Sequence, residues 1–178
     1  MSHYTVAVIH RKDQDIAELL KPYDESLEVE PYIKYTKEEA IAWAKENLKP
    51  GRTDDEYYEI MADGRQTDEE GNIYSTYNPD AKWDWYEVGG RWNDLLSHKE
   101  TREHSNELPI KDIYRAPGLD TYAVITPDGV WHAPGRMGWW GISSETEEEA
   151  RVWSATWAKR WLDDQDQDLI MTIVDCHI

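Results

Sequence analysis

Apolar residues fall into a few short runs separated by long polar stretches. Tyr4 to Ile9 is a β-branched run of strand length. A brief amphipathic segment, Ile16 to Leu20, follows and is stopped by Pro22. Val29, Pro31, Ile33 and Tyr35 alternate, and the proline restricts that run to a sheet edge. Thr36-Lys37-Glu38-Glu39 reads as a capping box ahead of Ala40, Ile41, Ala44 and Leu48, which share one helical face until Pro50-Gly51. A short helix is expected around Glu56 to Ala62, and strand character resumes from Trp83. Thr121–Ile125 and Val130–His132 flank Thr126-Pro127-Asp128-Gly129, a hairpin signature. Thr146-Glu147-Glu148-Glu149 caps the clearest helix, whose Ala150, Trp153, Trp157, Ala158, Trp161 and Leu162 form one apolar stripe. The chain closes on the apolar run from Leu169 to Ile178.

Strand, helix, strand, hairpin, helix, strand is close to the βαββαβ order. The expectation is therefore a single α+β domain over 1–178 with a ferredoxin-like plan. In it, two main helices cover one face of an antiparallel sheet and the terminal strands lie at its centre. Two stretches fall outside this plan: an acidic, turn-rich segment over 52–80 and a polar, irregular one over 97–118. Both read as insertions into the one domain.

Composition narrows the function classes. The chain has 178 residues with ten Trp, eleven Tyr and no Phe, so every large aromatic ring carries a hydrogen-bonding handle. Its formal charge of −18 repels phosphate backbones and anionic lipid, which disfavours direct nucleic-acid or membrane binding. Two readings of that charge stand: a soluble protein kept apart by self-repulsion, and a nucleic-acid mimic that occupies a basic groove. No apolar stretch has membrane-spanning length, and Met1-Ser2-His3-Tyr4 lacks a signal-peptide pattern. The single cysteine, Cys176, lies in the last apolar run and reads as a buried, reduced thiol.

Candidate chemistry concentrates in two glycine-aromatic segments. In the first, Trp83, Trp85 and Trp92 surround Gly89-Gly90-Arg91. A glycine pair marks backbone that approaches something closely or takes positive φ. In the second, from Ala133 to Gly141, Arg136, Gly138, Trp139 and Trp140 repeat the combination. Aromatic walls with one or two guanidinium forks suit a purine, a nicotinamide or a sugar-phosphate. The alternative is an Arg91 paired with a carboxylate and tryptophans that only pack. The glycine pair lacks the spacing of a dinucleotide or P-loop motif, and no cofactor is implied. Of the six histidines, His132 beside Asp128 or Asp84 is the candidate acid–base group, and Asp175 shares a strand face with His177. No established metal-ligand spacing occurs, and Ser143-Ser144 reads as helix capping.

Taken together, Lys82-Trp83-Asp84-Trp85-Tyr86 with Gly89-Gly90-Arg91-Trp92, Thr126-Pro127-Asp128-Gly129 with Trp131-His132, Met137 to Gly141, and the closing Val174-Asp175-Cys176-His177 resemble a group of uncharacterised proteins encoded by bacteriophages and prophages. That resemblance implies an accessory factor acting in the cytoplasm of the infected bacterium, often against host defences. The expected task is to bind a small nucleotide-like ligand, such as a defence signal, between the two glycine-aromatic loops. A hydrolase acting on such a signal and an acidic inhibitor of a host defence protein are the alternatives.

Overall fold

The computed structural model describes residues 2–138 and 142–178. In chain order the regular elements are β1 (His3–His10), α1 (Ile16–Leu20), β2 (Glu28–Tyr35), α2 (Lys37–Asn47), α3 (Asp54–Ala62), β3 (Ile73–Tyr77), β4 (Trp85–Val88), β5 (Leu96–Ser97), β6 (His104–Ser105), β7 (Glu107–Pro109), β8 (Ala123–Ile125), β9 (Trp131–His132), α4 (Glu147–Ala158) and β10 (Ile170–His177). Helices α2, α3 and α4 each begin with a complete capping box, at Thr36/Glu39, Thr53/Glu56 and Thr146/Glu149. In each box the threonine hydroxyl and the glutamate satisfy backbone N–H groups that the first turn leaves open.

The fold is α+β and resolves into two compact units, residues 1–25 with 80–178, and residues 26–79. The larger holds a six-stranded mixed sheet in the order β4-β10-β1-β8-β9, with β7 also pairing β10. The first and last strands are its central antiparallel pair, in register from His3↔His177 to His10↔Ile170. β1 runs parallel to β8, which turns through a hairpin into β9. β10 pairs along its other edge with β7 and then with β4. Period-2 alternation splits these strands between two cores. Ala7, Ile9, Met171 and Ile173 meet Trp157, Trp161 and Leu162 of the α4 segment on one face. Tyr4, Val6, Val8, Val174 and Cys176 meet Leu19, Leu20 and Trp83 on the other. Trp157 is fully buried, and its indole N–H donates to Thr121 Oγ1 at 3.2 Å while that of Trp153 donates to Thr121 O at 2.7 Å. Phenylalanine at these positions would lose both bonds.

This arrangement departs from the ferredoxin-like plan in three ways. The sheet is mixed, because β1 and β8 are parallel and are joined by a long excursion rather than by one helix. The two main helices do not share a face: α4 covers one side of this sheet, and the short α1 packs on the other. Helix α2 instead buries Ala40 and Ala44 against Tyr57, Met61 and Ile73, the core of the unit formed by residues 26–79. That unit begins ahead of the acidic stretch over 52–80 and gives it order through α3 and the β2–β3 pair. The pairing of β2 is irregular between Glu28 and Tyr32, around Pro31, as a strand proline requires. The polar stretch over 97–118 adds β7 to the large sheet and buries Ile110 and Ile113 in the α4-side core.

Candidate functional site

A cleft of about 440 Å³ opens in the larger unit, lined chiefly by Tyr4, Tyr23, Lys82, Tyr122, Trp131 and Arg136. Such a volume lies in the range that holds small organic ligands. Its aromatic walls are fixed by their own packing and by their hydroxyl groups. Tyr4 stands edge-on to Tyr122 with ring centres 5.4 Å apart, and Trp131 tilts over Tyr23 at 5.0 Å. Tyr23 Oη donates to Gly129 O at 2.6 Å and accepts from Trp131 N–H at 2.9 Å. Tyr4 Oη donates to Lys82 O, and Tyr122 Oη bonds Ser143 Oγ at 2.6 Å. Burial pushes the Tyr122 phenol up to about 12 and raises those of Tyr4 and Tyr23 as well, so the walls stay neutral.

Two cations serve this cleft. Burial lowers the Lys82 ammonium, the nearby Arg136 guanidinium lowers it further, and Asp80 acts in the opposite sense. An anion between Lys82 and Arg136 would relieve that repulsion. Arg136 is held from its backbone: Arg136 N–H donates to Ser144 Oγ at 2.8 Å, and Ser144 N–H donates back to Arg136 O at 3.0 Å. Gly138 N–H donates to Ile142 O at 2.9 Å in the same paired segment. A side chain on Gly135 would put its Cβ 2.5 Å from the Glu145 backbone nitrogen, so this wall forms only with glycine there.

The Trp83–Trp92 block occupies a different place. Trp83 is a core residue whose Nε1–H donates to Leu20 O at 3.1 Å, and Trp92 packs against the α4-side core. Trp85 is 47% exposed and leans edge-on toward His3, ring centres 6.1 Å apart. Gly89 has φ 75° and ψ −67°, and Gly90 has φ 49°. A Cβ at Gly90 would lie 2.4 Å from Asp175 Cβ, and one at Gly89 would lie 2.4 Å from Asn106 Nδ2. Positive φ and close approach thus both apply. The corner lets Arg91 N–H donate to Asp175 Oδ2 at 3.0 Å, while the Arg91 side chain itself is exposed. Asp84 Oδ1 sits 2.5 Å from His177 Nδ1.

His132 and Asp128 lie together in a second, broader depression of about 540 Å³ with Arg11, Arg160 and Trp161. His132 Nε2 is 3.2 Å from Thr126 Oγ1, and its ring lies 4.8 Å from that of Trp161. Burial lowers its basicity, Arg160 adds to that, and Asp128 opposes it.

Of the expected ligand-binding residues, Arg136 lines the 440 Å³ cleft, and Gly138 belongs to the segment that carries it. Trp83, Trp85, Gly89, Gly90, Arg91 and Trp92 are not among its lining residues. Trp139 and Trp140 lie outside the described residues. Of the catalytic candidates, His132 and Asp128 share one depression, and Asp84 belongs with His177. Sequence reasoning did not single out Tyr4, Tyr23, Tyr122, Trp131 or Lys82 as a set, since they come from five separate segments. Strand alternation carried a partial signal, because Tyr4 shares a face with Val6 and Val8. No protein-family profile, curated protein or solved structure matches the chain.

Proposed function

We propose that the chain binds a small nucleotide-like anion in the Tyr4–Tyr122–Trp131 cleft, with Lys82 and Arg136 taking the phosphate-bearing part. In the phage context that the sequence resembles, this is a counter-defence role in the host cytoplasm, with a defence signal as the ligand. The observation that carries the reading is the pairing of two cations inside an aromatic-walled cleft of nucleotide size. Rings supply stacking surface worth roughly 1–3 kcal/mol per base. A charge-assisted contact adds about 1.5–3 kcal/mol. Walls whose hydroxyl groups are already hydrogen-bonded within the protein, those of Tyr4 and Tyr23 to backbone and that of Tyr122 to Ser143, need little reordering on binding, which preserves that gain.

Calorimetry against a panel of cyclic, linear and ADP-ribose-type nucleotides tests it. A member should bind in the micromolar range, and Arg136→Ala and Lys82→Ala should each weaken it about tenfold, the lower end for a solvent-facing charge contact. Arg91→Ala should leave binding unchanged. Equal loss from Arg91→Ala would move the site to the Trp83–Trp92 block, and a panel with no binder would refute the proposal.

A further inference from the structure

Two aspartate–histidine pairs stand side by side where the first and last strands meet. His3 and His177 are directly opposed in the β1–β10 register, with ring centres 5.0 Å apart and planes at 70°. Each ring is oriented by a carboxylate at the same nitrogen: His3 Nδ1 lies 2.9 Å from Asp175 Oδ1, and His177 Nδ1 lies 2.5 Å from Asp84 Oδ1. A carboxylate only accepts, so both Nδ1 atoms carry the hydrogen, which leaves Nε2 as the nitrogen that each imidazole can offer to a metal. Among the described residues, no partner is bonded to either Nε2. The supports are themselves fixed. Asp175 is 1% exposed and its second oxygen accepts the Arg91 N–H, while Asp84 N–H donates to His177 O at 3.0 Å.

We propose that His3 and His177 form a two-imidazole chelate for a divalent cation of the zinc class, with Asp84 and Asp175 as positioning residues. Imidazoles that ligate metals characteristically donate the other ring N–H to a carboxylate, which fixes the tautomer and raises ligand basicity. Here both rings do so. Spacing agrees: with metal–nitrogen bonds of about 2.0–2.1 Å, two imidazoles near the tetrahedral angle place their ring centres roughly 5 Å apart. Two carboxylates behind the rings also match the charge of a dication. The side chains of His3 and His177 are 16% and 12% exposed, which leaves a path to solvent. No group of three or more His, Cys, Asp or Glu side chains suited to a metal occurs among the described residues. Water or an exchangeable ligand therefore takes the remaining positions, and the site is labile rather than a folding clamp. The Trp83–Trp92 block acquires a common purpose: Asp84 orients His177, Trp85 borders His3, and the glycine corner brings Arg91 N–H onto Asp175.

Calorimetric titration of the full chain with zinc chloride, in chelator-free and weakly coordinating buffer, should show one equivalent bound. His177→Ala and His3→Ala should each weaken binding at least tenfold. Asp84→Asn keeps both imidazoles and should weaken it 10–100-fold, the range for losing such an orienting partner. Thermal melts in EDTA establish that each variant is folded. In wild type, saturating zinc should raise the melting temperature, and in His177→Ala it should not. Copper(II) paramagnetic resonance should report two imidazole nitrogens, falling to one in His177→Ala. Absence of saturable zinc binding by the wild type overturns the proposal. So does wild-type affinity in folded His177→Ala or Asp84→Asn, and so does an equal loss in His98→Ala/His104→Ala.

Discussion

Gly90→Ala isolates what the glycine corner does. Three effects act together at this position. Gly90 has φ +49°, and a left-handed conformation costs an L-residue about 1–2 kcal/mol. The new Cβ would stand 2.4 Å from Asp175 Cβ, an atom attached directly to the central strand β10 and unable to swing aside. Overpacking of that kind costs about 1–3 kcal/mol. Any shift that relieves the clash stretches the Arg91 N–H to Asp175 Oδ2 bond, now 3.0 Å, and bonds to charged acceptors contribute about 1.5–3 kcal/mol. These terms overlap, so the expected loss is about 3–5 kcal/mol, a large part of the ~5–15 kcal/mol typical of a domain. At about 2–4 °C per kcal/mol for a chain of this length, the Tm should fall by roughly 6–20 °C. Gly129→Ala provides the comparison: its φ is +82°, yet nothing lies within 4 Å of the added Cβ, so only the backbone cost of about 1–2 kcal/mol remains. Urea unfolding followed by tryptophan fluorescence measures both. If Gly90→Ala falls within 1 kcal/mol of Gly129→Ala, the crowding against Asp175 is not what demands glycine.

Two further outcomes follow from the core and from the second depression. Trp157→Ala should destabilise by about 3–5 kcal/mol in the same urea assay, because the ring is fully buried beneath α4; a loss under ~1 kcal/mol would show that the site collapses around it. His132 has its basicity lowered by burial first and by Arg160 second, so the folded state binds its proton less readily than the unfolded chain, whose value is 6.5. The stability it contributes is complete above that value and is lost as the pH falls below it. The urea midpoint should therefore decline from pH 7.5 toward pH 5.5, and His132→Gln should flatten that decline; an unchanged slope would place the titration elsewhere.

Local signals in the sequence were legible wherever a short-range mechanism dictates structure. The Thr36 and Thr146 capping boxes start their helices, Pro31 disturbs the β2–β3 ladder, and the Pro-Asp-Gly turn joins β8 to β9, whereas α3 begins at Asp54 behind a third box at Thr53, ahead of the expected Glu56. Central placement of the terminal strands follows from their apolar density. Parallel pairing of β1 with β8 was not legible, because strand order depends on contacts between segments more than a hundred residues apart. The same reason hid the aromatic cleft, whose rings come from strands, turns and a loop with no shared period. The paired histidines are an intermediate case. His3 and His177 mark the outer ends of the first and last strands, and antiparallel pairing of those strands alone brings them opposite each other. The glycine pair was read correctly as a close approach and positive φ, but what approaches is the strand residue Asp175.

A net charge of −18 and the proposed binding of an anion are compatible once the acids are placed. Eight of the 37 occupy helix starts: Glu38 and Glu39 open α2, Asp54 to Glu56 open α3, and Glu147 to Glu149 open α4. There the macrodipole and unfilled N–H groups favour negative charge, and bonds from Thr53 and Thr146 hold the Glu56 and Glu149 carboxyls below their ordinary range. Asp68 accepts from Asn72 N–H and Nδ2–H and from the Tyr74 hydroxyl, which makes it part of a turn. Local structure therefore gives nine of the 37 acidic residues a role in helix starts or a turn. At physiological ionic strength the field of exposed charges decays over about 8 Å, so the overall charge slows the approach of an anion more than it opposes its bound state. What decides binding is the immediate lining of the cleft. There Lys82 and Arg136 both line the cleft and repel one another, with Asp80 as the acid among the lining residues, and under the proposed function that short-range balance selects the phosphate.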